Sequence, residues 1–172
     1  ARRGEVDEVR PCLRCNVCTK HTRNNFPIRC TVNPVIGREI DYTNIEQAKK
    51  KKKVVIVGGG PAGMEAALIA SCRGHEIVLY EKSDKLGGNL ILASGPSFKA
   101  DMKQYLEWLI RQVQKKPDIK IKLKVEATSE TIKTEKPDVV IIAIGAEPLT
   151  LDIPGKSRNN VVWAGDVHMD RV

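Results

Sequence analysis

Short apolar runs and amphipathic stretches alternate along the last two-thirds of this 172-residue chain. Val54–Val57 is an apolar run ending at glycines, the pattern of a strand buried on both faces. A helix is expected from Pro61 to about Cys72, with Pro61 suited to the first turn and Gly74 to the C-terminal cap. Glu76–Tyr80 reads as a second strand. From about Phe98 to Lys115, the residues Met102, Tyr105, Leu106, Leu109, Ile110 and Val113 fall on one face of a helix. Ile119, Ile121, Leu123 and Val125 alternate with lysines, so Ile119–Val125 reads as a strand with one wet face. Pro137 closes a short segment before Val139–Ile144, which is apolar enough to predict a fully buried strand. Val161–Trp163 is a further short strand candidate.

Strands and helices alternating in this way predict an α/β fold, a Rossmann-like parallel sheet with flanking helices, over residues 54–172. Residues 1–30 are expected to be loop-like and hold four of the five cysteines. Residues 31–53 read as an extended connector, with Pro34 and Gly37 as turn signals.

Gly58, Gly60 and Gly63 form G-x-G-x-x-G between the first strand and the first helix. Gly58 permits the tight turn, Gly60 lets main chain meet a pyrophosphate, and Gly63 with Ala67 lets the helix lie close to the sheet. The helix start, at Pro61 and Ala62, offers free N–H groups and partial positive charge to phosphates. Glu81 ends the second strand 21 residues after Gly60, where a carboxylate can accept hydrogen bonds from a ribose and would repel a 2′-phosphate. Next come Lys82 and the stretch Gly87-Gly88-Asn89-Leu90, whose bare N–H groups suit a larger dinucleotide such as FAD or serve as an ordinary loop. Ala143-Ile144-Gly145 follows the last apolar strand, where the chain crosses near the cofactor.

The formal charge of +8 raises the question of nucleic acid. Residues 1–53 hold 13 Lys and Arg against 6 acidic residues, while residues 54–172 hold 16 against 15. The excess is therefore local, and the run Lys49–Lys53 reads as a solvated linker. With aromatic residues at 4%, the basic segment lacks the stacking platforms of a nucleic-acid reader, so none is expected as partner. No apolar run approaches the ~20 residues of a membrane span. The opening ARRGEVDEVRP is too charged for a signal peptide and has no initiator Met. The expectation is a cytoplasmic piece of something longer.

Cys12, Cys15, Cys18 and Cys30 give C-x₂-C-x₂-C-x₁₁-C, a metal-ligating pattern in a chain with no secretion signal. Three close thiols plus a distant fourth favour a [4Fe–4S] cluster, with structural zinc or unligated thiols as the alternatives. The nearby cations Arg10, Arg14, Lys20, Arg23 and Arg29 would offset thiolate charge or simply face water. His21 lies inside the loop but is superfluous beside four cysteines. Cys72 is expected to be a small buried hydrophobe. No redox cysteine pair, Ser/His/Asp arrangement or paired carboxylates stand out, so no catalytic residue is assigned.

In order, CLRCNVC, RCTVNPVIGRE, KKVVIVGGGPAGMEAALIASCRGHEIVLYEKSDKLGGNL, KPDVVIIAIGAEP and IPG resemble the multidomain old yellow enzyme relatives. These include the 2,4-dienoyl-CoA reductases, trimethylamine dehydrogenase and enoate reductases. The resemblance implies an electron-transfer module in which Cys12, Cys15, Cys18 and Cys30 hold the cluster and the glycine domain holds FAD. It places an FMN barrel for an enoyl-type substrate before this chain and an NAD(P)H domain after it, as partners in one polypeptide. Electrons would pass from NAD(P)H through FAD and the cluster to FMN. The two-residue gap between Cys15 and Cys18 matches the amine dehydrogenase branch, which holds ADP, so ADP is the alternative to FAD. A homo-oligomer is compatible with this reading. A stand-alone NAD-binding dehydrogenase domain is the remaining rival.

Overall fold

The computed structural model describes residues 4–42, 45–149 and 151–171. Residues 1–3 and 172, the outer ends of the expected domain division, lie outside the described residues. The centre is a parallel sheet of β1 (Lys53–Val57), β2 (Glu76–Glu81), β3 (Ile119–Leu123) and β4 (Val139–Ile142), in the order β3-β2-β1-β4. Val55 pairs with Val78 and with Val140, so β1 lies between β2 and β4. The chain steps outward from β1 to β3, then returns to the other side of β1. This makes β1/β4 the switch point where an open α/β sheet leaves a crevice.

Period-two alternation assigns the two faces. Val54, Ile56, Ile77, Leu79 and Ile119 pack under the helices α3 (Pro61–Cys72) and α5 (Ala100–Gln114). Val55, Val78 and Tyr80 face the other way, against Val125, Ala127 and Ile132 of the segment carrying α6 (Ser129–Thr134). Helix α3 approaches the sheet on Gly63, Met64, Ala67 and Ala70. A Cβ at Gly63 would fall 1.9 Å from the Gly58 carbonyl oxygen, so only glycine permits this spacing. Gly74 caps α3 at φ +81°, donating its N–H to Ser71 as the sequence predicts.

Tyr105, Leu106, Leu109 and Val113 of α5 are buried, and so is Trp108, which lies outside the expected stripe. Trp108 turns instead to the N-terminal segment, its Nε1 donating to the Glu8 carbonyl at 3.3 Å. That segment is not all loop. It contains a 3₁₀ turn at Val6–Glu8 and the helix α1 (Val17–Arg23), and the connector holds the single turn α2 (Glu39–Tyr42). Two further short helices, α4 (Asn89–Ala93) and α7 (Ala164–His168), lie against each other.

Further sequence expectations need correction. The run Val139–Ile144 is not fully buried: β4 is an edge strand that ends at Ile142, Ile142 is 74% exposed on the face away from α3 and α5, and Ile144, beyond the strand, is 72% exposed. Val161–Trp163 forms no strand. β3 stops at Leu123, since Lys124 takes the left-handed conformation (φ +60°) and bonds the Ser83 carbonyl. Cys72 is exposed: it is the last residue of α3, outside the buried set Gly63, Met64, Ala67, Leu68 and Ala70.

Candidate functional site

The glycine turn leaving β1 stands at the switch point. Gly58 has φ +111°, and a Cβ there would lie 2.2 Å from the Ala143 carbonyl oxygen at the end of β4. Gly60 is the N-terminal cap of α3 and Pro61 its first residue, with Ala62 exposed beside it. Here the surroundings differ: a Cβ at Gly60 would meet nothing nearer than the Gly88 Cα at 4.0 Å. The fold therefore needs Gly58 and Gly63 for packing, whereas Gly60 leaves bare main chain against open space, at the positive end of a twelve-residue helix. That is the shape a pyrophosphate requires.

A second loop closes over the first. Gly87 donates its N–H to the Gly59 carbonyl at 2.9 Å, and Gly88 is held at φ +52° beside Gly60. Asn89 Nδ2 donates to the Ala146 carbonyl at 3.2 Å, which joins this loop to the segment carrying Ala143 and Gly145. Leu90 packs on the core, and Lys82 faces solvent.

Glu81 is 8% exposed. Its Oε2 accepts the Gly59 N–H at 2.7 Å, and its Oε1 accepts the Ser83 N–H and hydroxyl at 2.8 and 2.9 Å. Burial pushes this carboxyl up, but the hydrogen bonds from Ser83 and Gly59 and the charge of Lys82 outweigh it and hold the group below its ordinary value. Three of about four acceptor positions are thus filled from within, and the ionised carboxylate is fixed beside the glycine turn. Ser83 and Gly59 are members of the site that the sequence alone did not single out. A hydroxyl two residues after the strand-ending acid was the available signal.

The cysteines occupy a tightly turning segment, with Arg14, Asn16 and Asn25 all at positive φ. Cys12 and Cys15 are exposed, Cys18 and Cys30 half-buried, and all are free thiols. Cys12 Sγ accepts the Arg14 N–H at 3.3 Å. Cys15 Sγ lies 3.2 Å from Thr31 Oγ1, so the first arm of the loop touches the residue after the fourth cysteine. That hydroxyl and the Val17 N–H lower the Cys15 pKa. Cys30 packs against the core cluster. Among the described residues, no three His, Cys, Asp or Glu side chains converge as ligands of a single metal ion. In a four-iron cluster each thiolate binds a different iron, and four soft thiols on one turning loop, with N–H and O–H groups aimed at sulfur, fit that donor set.

A cavity of about 850 Å³, lined by Leu149, Leu151, Ile153, Val161 and Trp163 among others, follows along the chain from Gly145. Glu147 and Lys156 also line it, beside the mostly apolar wall. Among the described residues no helix is long and apolar enough to cross a membrane.

Known proteins resemble this chain over almost all of its length. Residues 52–170 match the family described as pyridine nucleotide-disulphide oxidoreductase. Over 99% of its length the chain is 44% identical to an NADH oxidase of Thermoanaerobacter brockii, covering 28% of that protein. Over 97% it is 43% identical to a cinnamate reductase of Clostridium sporogenes, covering 25% of it. A solved structure of 2-naphthoyl-CoA reductase superimposes over 99% of the chain with a TM-score of 0.89 and 36% identity, the chain covering 26% of that protein. The chain thus spans about a quarter of the length of the relatives it matches. It belongs to the pyridine nucleotide-disulphide oxidoreductase family, and its relatives include an NADH oxidase, a cinnamate reductase and a 2-naphthoyl-CoA reductase.

Proposed function

We propose that this chain is the electron-transfer module of a flavin- and [4Fe–4S]-dependent NAD(P)H oxidoreductase acting on an enoyl-type substrate. The observation that carries the reading is the bare main chain at Gly60, open to 4.0 Å, beside the fixed carboxylate of Glu81 at the β1/β4 switch point. FAD would lie with its phosphates over Gly58–Gly63 and its ribose toward Glu81. Gly88, Asn89 and Gly145 would border it on the second side, and Cys12, Cys15, Cys18 and Cys30 would hold the cluster. When bound, the flavin accepts a hydride and releases electrons singly, the exchange a cluster can relay to FMN. The chain's own part is to bind, space and electrostatically tune these groups. Its residues assign it no substrate chemistry, so by itself it should turn over no enoyl compound.

The partners in this proposal are an FMN barrel and an NAD(P)H domain of the same polypeptide, in the reducing cytoplasm where four thiols remain available. The test is an absorption spectrum with iron and sulfide analysis on anaerobically purified protein, followed by titration with FAD, ADP and NADH. Iron with labile sulfide, and tighter binding of FAD than of NADH, are expected. Zinc without iron would overturn the cluster, and preference for NADH would overturn the flavin site.

A further inference from the structure

Two guanidiniums tie the cysteine segment to the dinucleotide fold: the exposed Arg14 through Asp101 of α5 at 2.7 Å, and the half-buried Arg10 through a wider set of partners. Arg10, two residues ahead of Cys12, donates from Nη1 to the carbonyl of Val32, two residues beyond Cys30. Both ends of the cysteine loop therefore meet at one side chain. The same guanidinium grips Glu65 of α3 with both branches, Nη2 to Oε1 at 3.1 Å and Nη1 to Oε2 at 3.3 Å. It also lies over the ring of Trp108 in α5, 4.5 Å from the ring centre. Glu65 stands two positions after Gly63, on the helix whose first turn forms the phosphate cradle.

An exposed ion pair would carry little weight here. This one is different in kind, because the two side chains are only 25% and 24% exposed and the contact is a two-pronged fork on an aromatic face. Tyr105 stacks on Trp108 with centroids 6.0 Å apart, so the platform is itself fixed. Lysine could supply the charge at this position but neither the fork nor the flat stacking surface. The partners of Arg10 come from α3, α5 and the far end of the cysteine loop, so its geometry sets where the thiols stand relative to the glycine turn.

We propose that Arg10 is a positioning residue that registers the four thiols on the dinucleotide fold and so sets the rate of electron passage between the groups at the two sites. This rests on the reading that the cysteines carry an iron–sulfur cluster and the glycine loops a flavin.

Arg10→Lys keeps the charge and loses the fork, and Glu65→Gln keeps the shape and loses the charge. In the native polypeptide, each should slow the bleaching of the cluster after anaerobic mixing with NADH about tenfold, an ordinary coupling for residues in contact. Iron, sulfide and flavin contents should be unchanged, and the cluster's midpoint potential should hold in Arg10→Lys. The double variant should be no slower than the slower single one. Unchanged bleaching in both single variants, multiplicative slowing in the double, or loss of iron from either single would overturn the proposal. The iron, sulfide and flavin content of the unaltered protein tests the underlying reading separately. If that reading fails, the metal-free protein still decides: amide exchange at Thr31 and Val32 should accelerate in Arg10→Lys while that at Val55 and Ile56 does not. Equal exchange at Thr31 and Val32 would overturn the registration.

Discussion

The main-chain N–H of Gly59 donates to Oε2 of Glu81 at 2.7 Å, fastening the acid that ends β2 to the turn that ends β1. The bond joins two adjacent strands at the mouth of the crevice. It also keeps a charged carboxylate where burial alone would discourage one.

Glu81→Gln replaces an oxygen that accepts main-chain N–H groups with an amide that can present its own donors to them. A loss of about 1–3 kcal/mol is expected, the cost of an unsatisfied buried group. Because the folded carboxyl lies below its ordinary value, its contribution is fully present above the unfolded pKa and is lost as pH falls through the folded one. The gap in melting temperature between the two proteins should therefore narrow as pH drops below about 4.3. Thermal melts across that range check this.

Gly60 and Gly63 should separate binding from folding. Gly60→Val places its side chain in open space, 4.0 Å from the nearest atom, so the fold should persist while calorimetry detects no FAD or ADP binding. Gly63→Val drives a Cβ against the Gly58 carbonyl and should cost about 3 kcal/mol or more through overpacking. A stable Gly63→Val would contradict the close approach of α3.

Glu135 anchors the second face of the sheet. It accepts from Lys122, from Lys53 Nζ at 2.6 Å and from the Tyr80 hydroxyl at 2.9 Å. The Lys122 contact first, then those of Lys53 and Tyr80, lower its pKa from 4.5 to about 2. Its stabilisation is complete above the unfolded value and disappears as pH falls toward about 2. Glu135→Gln should lower the melting temperature at neutral pH and make little difference at pH near 2, which an acid series of calorimetric scans would show.

The cysteines should divide into two classes. Cys15→Ser should lose iron while the glycine domain keeps its melting transition. Cys72→Ser should keep all of its iron, and in the unaltered protein the exposed Cys72 thiol should alkylate while the cluster's absorption holds. Iron analysis and mass spectrometry after iodoacetamide treatment give both results.

The order and type of the main elements are legible in the sequence, because Val54–Val57, the glycine spacing and the stripe from Met102 to Val113 are local periodicities. The need for glycine at Gly58 and Gly63 is readable for the same reason: a turn without a Cβ is a property of a few consecutive residues. Only the folded arrangement could decide burial. Val139–Ile144 has the composition of an interior strand, yet the strand order puts β4 at an edge, and edge exposure is set by neighbours far away in the chain. The same holds for Trp108, buried by contact with residues about a hundred positions earlier, and for Arg10, whose fork closes on Glu65 55 residues later. Periodicity reports which face of an element is apolar. Which surface then covers that face depends on contacts between distant segments, and those exist only once the chain has folded.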